Sequence, residues 1–386
     1  MPWIHFHMDT AGKVKACCST SITFGQLSGN SNEAAIEKIW NGKSATTFRR
    51  KLLEGGFDKR CAVCYNREAA GKSSMRTETL DKFPAMLSTI FDESQLNGQT
   101  KMRPVYFDLR FSNVCNLRCR TCWHGASSSW FEEAKIMKNT AGDKAIIKAT
   151  SNNLKVLKTL LAYSSGPAEI YFAGGEPLLM EEHYEMLTEL INNDQTDTFL
   201  RYNTNLSILK FREFNLIELW KRFENVKLSI SIDATKTLGN YIRKGLRWEK
   251  LIANMKLLKE SCPHIQFEIA PTISILNVSS FGKMHQFFVD SGLIHIDAIY
   301  LNLLDRPRSY NIQILPEDNK KEVGSEIAKN IEWLMENDAN QKVISEYKSI
   351  IDFLNIKSKP EEFVLFHDYN SKIDQIRGEK YDDFSW

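Results

Sequence analysis

No run of about 18 or more apolar residues interrupts this sequence, which argues against a helix that spans a bilayer. The opening residues, MPWIHFHMDTAGK, lack the basic stretch and apolar core of a secretion signal, so they read as mature structure. An excess of charge is missing too. The 50 Lys and Arg against 48 Asp and Glu leave a formal net charge of +2, with no evident basic stripe. Nothing in that balance favours nucleic acid or an anionic membrane as partner. There is no internal repeat and no low-complexity tract. Cysteine is scarce and unevenly placed: of eight, only Cys262, just before Pro263, stands alone as an ordinary loop-edge residue. The other seven, Cys17, Cys18, Cys61, Cys64, Cys115, Cys119 and Cys122, fall in tight groups. Such grouping suits metal sites in a reducing compartment better than a disulfide framework, and the cytoplasm is the expected location.

What is present is a chain of 386 residues, 42% hydrophobic, enough for one large core or two to three packed units. Residues 1–75 read as a small α+β, cysteine-rich domain. WIHFHM and KVKACC form a hairpin across the DTAG turn, and NEAAIEKIW and ATTFRRKLLEGG have helical periodicity. CAVC then turns into a short helix. Residues 76–102 serve as a linker, with DESQLNGQTKMRP the most linker-like in composition. From 103 to 305 strands alternate with helices. VYFDLRF, AEIYFA, TFLRYNT, VKLSISID, IQFEIAPTI and IDAIYLNLL are the six strand candidates. Six such units imply an α/β fold with a parallel sheet, open or curled into a partial barrel, and working residues gather at the C-terminal ends of its strands. Residues 306–386 form a helical, charged extension ending in the aromatic tail KYDDFSW.

The first of these strands runs into RFSNVCNLRCRTCWHG, where Cys115, Cys119 and Cys122 are spaced CxxxCxxC. Three thiolates suit an iron–sulfur cubane that keeps one iron for another ligand, or a zinc site completed by His124 or a distant residue. The second strand ends in IYFAGGEPLL. Its Gly174 and Gly175 allow close backbone approach by a ligand, and Glu176, before Pro177, offers a carboxylate to an ammonium group.

CxxxCxxC after one strand and GGEP after the next resemble the radical S-adenosylmethionine (SAM) superfamily, over residues 103 to 305. The resemblance implies a partial (β/α)6 TIM-like barrel in which Cys115, Cys119 and Cys122 bind a 4Fe–4S cluster. The fourth iron is then chelated by the methionyl group of SAM. One electron, from a donor such as flavodoxin or ferredoxin, cleaves SAM to a 5′-deoxyadenosyl radical that takes hydrogen from a substrate. Gly174, Gly175, Glu176 and Pro177 match the segment that receives the SAM amino group. Asn203, Asn205, Ser231 and Asp233 match strand-end positions that contact its ribose and methionyl groups, and Arg243 lies where a cation could meet its carboxylate. One departure stands out. The family usually has an aromatic before the third cysteine, whereas here Thr121 precedes it and Trp123 follows.

The N-terminal pattern, a Gly-turn hairpin ending in cysteine, an IW helix and CAVC, resembles the twitch module, the short relative of SPASM domains, placed before the barrel rather than after it. That likeness implies an auxiliary 4Fe–4S cluster on Cys17, Cys61 and Cys64, with Cys18 as candidate fourth ligand. A zinc knuckle of the same four is the alternative. His5 and His7 share one strand face and read as partly buried polar residues rather than ligands. Ser127 to Trp130 read as a helix cap, and Trp220 and Trp248 as core. The expectation is a cytoplasmic oxidoreductase acting on a peptide, protein or small molecule, its second cluster aiding substrate binding or electron removal. Its rivals are a nucleic-acid-modifying enzyme of the same superfamily and a non-catalytic iron–sulfur or zinc-binding interaction protein.

Overall fold

The computed structural model describes residues 1–69, 73–93, 96–164, 166–357 and 360–380. Eight strands form the main sheet: β1 (His5–Met8), β2 (Lys13–Lys15), β3 (Thr23–Gln26), β4 (Tyr106–Leu109), β5 (Glu169–Phe172), β6 (Phe199–Thr204), β7 (Val226–Ile230) and β8 (Gln266–Ile269). Their order is β8-β7-β6-β5-β4-β1-β2-β3. The β1–β4, β4–β5 and β7–β8 pairs are parallel, whereas β1–β2 and β2–β3 are antiparallel. Helices follow the strands, as the alternation implies, and the C-terminal part is helical over Glu317–Glu336, Gln341–Leu354 and Phe363–Arg377. Among the described residues no helix is long and apolar enough to cross a membrane.

The chain divides into two compact units. The first comprises Met1–Val114, Ile146–Arg201 and Glu218–Val226. In it the period-two alternation sorts side chains onto two faces. Phe6, Met8, Phe107, Leu109, Ile170 and Phe172 occupy the apolar face, each no more than 1% exposed. Because His5 pairs with Tyr106 and His7 with Asp108, and these in turn with Glu169 and Tyr171, the other face is polar. There His7 Nδ1 lies 2.8 Å from Asp108 Oδ2, and Arg110 Nε 3.2 Å from Asp108 Oδ1. Burial pushes the Asp108 carboxyl up, but Arg110 and His7 more than reverse this and hold it well below the usual range. Glu169 accepts from both Lys82 and Arg201 at 2.9 Å.

The second unit comprises Cys115–Ala145, Tyr202–Ile217 and Lys227–Trp386. Its core includes Trp248, Leu251, Phe281, Phe288, Tyr310 and Tyr347, all buried.

Several sequence expectations differ from the structure. The N-terminal hairpin does not stand apart, because β1 lies in parallel beside β4 and extends the main sheet. A third strand, β3, was not anticipated; it follows from the buried Phe24 packing on Phe48. The stretch read as linker contains helices at Met75–Lys82 and Met86–Glu93. The first has little apolar periodicity and begins at a capping box formed by Ser74 and Thr77. Of IDAIYLNLL only Ile299 and Asn302–Leu303 pair with neighbouring chain. The aromatic tail from residue 381 onward lies outside the described residues.

Candidate active site

Residues 115–145 form the cysteine loop of the second unit. Cys119 is buried, whereas Cys115 and Cys122 are half-buried, and none forms a disulfide. Arg118 and Cys119 pair antiparallel with Lys244 and Arg243, and the Arg120 N–H donates to Ile242 O at 2.7 Å. On its other side the loop is held by the four residues read as a helix cap. Ser127 Oγ donates to Leu117 O at 2.6 Å, and Ser129 Oγ to Cys115 O at 2.7 Å. The Cys115 N–H donates to Ser128 Oγ at 3.2 Å, and Trp130 Nε1 to Cys119 O at 2.9 Å. The SSSW segment therefore orders the cysteine backbone, a role that sequence reasoning missed.

The C-terminal extension completes this bracing. Arg377, 1% exposed by side chain, donates through Nη2 to Arg118 O and to Glu133 Oε2, both at 2.7 Å. Its guanidinium stands 5.0 Å from the Trp130 ring centroid. Arg120 is fully buried. It donates to Tyr241 O, Asn370 Oδ1 and Glu379 Oε2 at 3.1, 3.0 and 2.8 Å, and pairs with Asp374. Neither arginine carries a sequence signal, because their partners lie more than 100 positions away in the chain.

The thiols feel this enclosure. Burial, followed by the neighbouring Cys119, pushes the Cys122 thiol up to about 12. Burial raises Cys119 as well, against the pull of Arg243, whose Nη1 lies 3.7 Å from Cys119 Sγ. Cys119 and Cys122, held this way, need a metal to ionise at neutral pH. Among the described residues no three His, Cys, Asp or Glu side chains are gathered around a single-ion site.

The other predicted residues of this unit sit as follows. Asn203 is exposed on β6. Asn205 Nδ2 donates to Asn116 Oδ1 at 2.9 Å, tying the end of β6 to a residue between the first two loop cysteines. The Ser231 N–H donates to Thr204 O at 2.8 Å. Asp233, fully buried, accepts from Arg243 Nη2 at 2.9 Å and from the Thr272 N–H at 2.8 Å, and its Oδ2 lies 2.8 Å from Arg243 Nε. Arg243 thus links Asp233 to Cys119. Trp123 is 55% exposed and lies over Gly125.

In the first unit, β5 runs into Gly174, whose φ of +113° excludes other residues without strain. A Cβ on Gly175 would fall 2.1 Å from Val114 O, so only glycine fits there. The Glu176 N–H donates to that same oxygen at 2.7 Å. Glu176 is buried, and its Oε1 accepts the Leu178 N–H at 3.1 Å, capping the 3-10 turn Pro177–Leu179. In the N-terminal segment Cys17, Cys61 and Cys64 line one cavity of about 520 Å³. Cys18 is not among its walls; its Sγ lies 3.9 Å from Met75 Sδ. His5 and His7 are both buried, and burial lowers His5 to about 3.

Residues 109–274 match the radical SAM superfamily, and residues 1–65 match SPASM, an iron–sulfur cluster-binding domain. Residues 109–274 thus carry a radical SAM domain and residues 1–65 a SPASM-type domain. No curated relative matches it. Among solved structures, native anSMEcpe with bound AdoMet and Cp18Cys peptide is 18% identical, covering 61% of this chain and 61% of its own length, with a TM-score of 0.42. Streptococcus suis SuiB bound to S-adenosylmethionine is 13% identical over 87% of this chain and 70% of its own, with a TM-score of 0.42. The chain therefore spans only about three fifths of anSMEcpe, 61%.

The domain match brings a 4Fe–4S cluster and SAM as cofactors, with a further cluster from the SPASM domain. The residues present fit those groups. The cysteine loop presents three thiols outside any disulfide on a braced backbone, and the close approach at Gly175 leaves no room for a side chain. Trp130→Phe should test the bracing, since it keeps an aromatic ring and removes the bond to Cys119 O together with part of the buried indole. A loss of about 0.5–1.5 kcal/mol per hydrogen bond should make iron release to a chelator roughly 2- to 10-fold easier. Unchanged release would show that the Trp130 bond does not support the loop.

Proposed function

We propose that this radical SAM enzyme reductively cleaves SAM and abstracts hydrogen from a peptide, protein or small-molecule substrate. The reduced cluster and SAM together supply the 5′-deoxyadenosyl radical; the chain supplies ligands, orientation and exclusion of water. In this reading Cys115, Cys119 and Cys122 hold the cluster. Gly174, Gly175, Glu176 and Pro177 take the methionyl amino group. Asn203, Asn205, Ser231 and Asp233 serve the ribose and methionyl groups, and Arg243 the carboxylate. Cys17, Cys18, Cys61 and Cys64 supply the ligands of the auxiliary cluster, which binds substrate or removes an electron after abstraction. A flavodoxin or ferredoxin is the electron donor.

The observation that carries the reading is the cysteine loop. Four consecutive residues, Ser127 to Trp130, bond to the backbone or carbonyls of Cys115, Leu117 and Cys119, which is support suited to three thiolates and no fourth. The test is to reduce the anaerobically reconstituted protein with dithionite and supply SAM. Slow formation of 5′-deoxyadenosine and methionine is expected without any substrate, and none would refute the proposal.

Glu176→Gln separates charge from structure at the proposed amino-group site. The amide oxygen keeps the cap on Leu178. A charge-assisted bond contributes about 1.5–3 kcal/mol, so SAM affinity should fall roughly 10- to 150-fold while iron content holds. An unchanged titration would remove Glu176 from the site.

A further inference from the structure

We infer that Arg110 and Arg201, on either side of Tyr171, form a site for a carboxylate of the substrate. This rests on the radical chemistry proposed above and narrows its substrate to an acid, free or carried by a peptide. All three residues lie on the polar face of the sheet in the first unit, where the strand order puts β5 between β4 and β6. Arg110 directly follows β4, two residues after Asp108, and Tyr171 on β5 is the cross-strand partner of Asp108. The Arg201 guanidinium stands 5.2 Å from the Tyr171 ring centroid.

Each arginine is fixed from one side and open on another. Arg110 donates through Nε and Nη2 to Asp108 at 3.2 and 3.4 Å, and Arg201 through Nη1 to Glu169 at 2.9 Å. The two carboxylates are at most 3% exposed, whereas the arginine side chains are 28% and 27% exposed. A guanidinium has five N–H groups, so these bonds leave donors for a further planar anion. The charges also favour one. Lys82 shares Glu169 with Arg201, so three cations are paired with two carboxylates. Burial, and then Arg201, hold the Lys82 ammonium below its usual range despite Glu169. His5 on the same face is buried, and neither of its ring nitrogens has a hydrogen-bond partner among the described residues. A surplus charge in a largely buried network is costly until an anion meets it. The site also adjoins the segment proposed for SAM, because a Cβ on Gly174 would lie 3.2 Å from Arg110 Cβ. An acid anchored there is held beside that segment.

The experiment uses the full chain, reconstituted anaerobically and loaded with SAM but not reduced, in calorimetric titrations. The probes are glutarate for a free acid, acetyl-trialanine for a chain terminus and acetyl-Ala-Glu-Ala-amide for a side chain. At least one should bind saturably and roughly 10-fold or more tighter than its amide counterpart, and which one does so identifies the source. Arg201→Gln leaves Glu169 paired with Lys82 and should weaken that probe roughly 10- to 150-fold. Arg110→Lys keeps a cation beside Asp108 and should weaken it too, because an ammonium lacks the forked geometry. SAM affinity and iron content should hold in both. Acids that bind no better than amides, or variants with wild-type affinity, overturn the inference. SAM affinity that falls in step with the probe's would give the arginines to the cofactor and overturns it as well. Cys18 feels the charge of Arg110, and iron lost from Arg110→Lys alone would give that residue to the auxiliary cluster, which likewise overturns it. Failure of the wild type to cleave SAM on reduction refutes the proposed chemistry instead, whatever the probes do.

Discussion

Cys119→Ala protein, reconstituted and reduced anaerobically, should release no measurable 5′-deoxyadenosine from SAM. Cys119 is the most enclosed of the three loop cysteines, with its carbonyl held by Trp130 and its backbone paired with Arg243. Alanine preserves that backbone and removes only the sulfur, so the substitution tests ligation rather than folding. Two thiolates do not anchor a cubane that needs three. The loss should exceed the roughly 10- to 100-fold typical of groups that merely orient a metal ligand. Iron analysis should show the SAM-binding cluster missing while that of the N-terminal domain remains. A variant that still cleaves SAM at the wild-type rate would mean that the active cluster lies elsewhere.

Asp233→Ala should produce the largest loss of stability among the strand-end residues. Its carboxylate is fully buried, takes one hydrogen bond from Arg243 Nη2 and one from the Thr272 amide, and forms an ion pair with Arg243 Nε. Without it, a guanidinium only 10% exposed has no counter-ion. Removing one partner of a buried pair costs about 3–5 kcal/mol. For a protein of this size the melting temperature should fall by roughly 4–6 °C. Asp233→Asn, which keeps the hydrogen-bond acceptor, should lose less. A thermal melt decides the matter. If Asp233→Ala melts like the wild type but binds SAM poorly, Asp233 acts on the cofactor directly rather than through Arg243.

The parts of this protein that were legible in the sequence are those written locally. Five of the six strand candidates contain the paired strands β4 to β8, because each is a short β-rich run followed by a helical period. The three loop cysteines and the glycine pair also stood out, because metal ligation and close backbone approach demand particular residues at fixed spacing. What was hidden depends on distant partners. Nothing in the text around Arg377 points to Glu133 and Trp130, and nothing in WIHFHM shows that its partner strand is VYFDLRF. His5 and His7 show the same limit. Their burial follows from β4 lying beside them, and the Asp108 that pairs with His7 is invisible from the first strand. The SSSW segment reads as a helix cap, but neither Ser127 nor Trp130 makes a side-chain capping bond, and its hydroxyls serve residues 10 to 14 positions earlier in the loop.

The parallel pairing of His5–Met8 with Tyr106–Leu109 has a consequence for synthesis. The strand leaves the ribosome before its main partner, which follows roughly a hundred residues later, a delay of about 5–20 s at ordinary elongation rates. Contacts this distant form late, since chain closure must precede any gain from pairing. During that interval the Cys17–Cys18 pair and the apolar edge of Phe6 and Met8 remain accessible to solvent, to oxidants and to other nascent chains. Expression at lower temperature and under reducing conditions should therefore raise the soluble yield, and a shortened connection between Lys82 and Arg103 should raise the refolding rate.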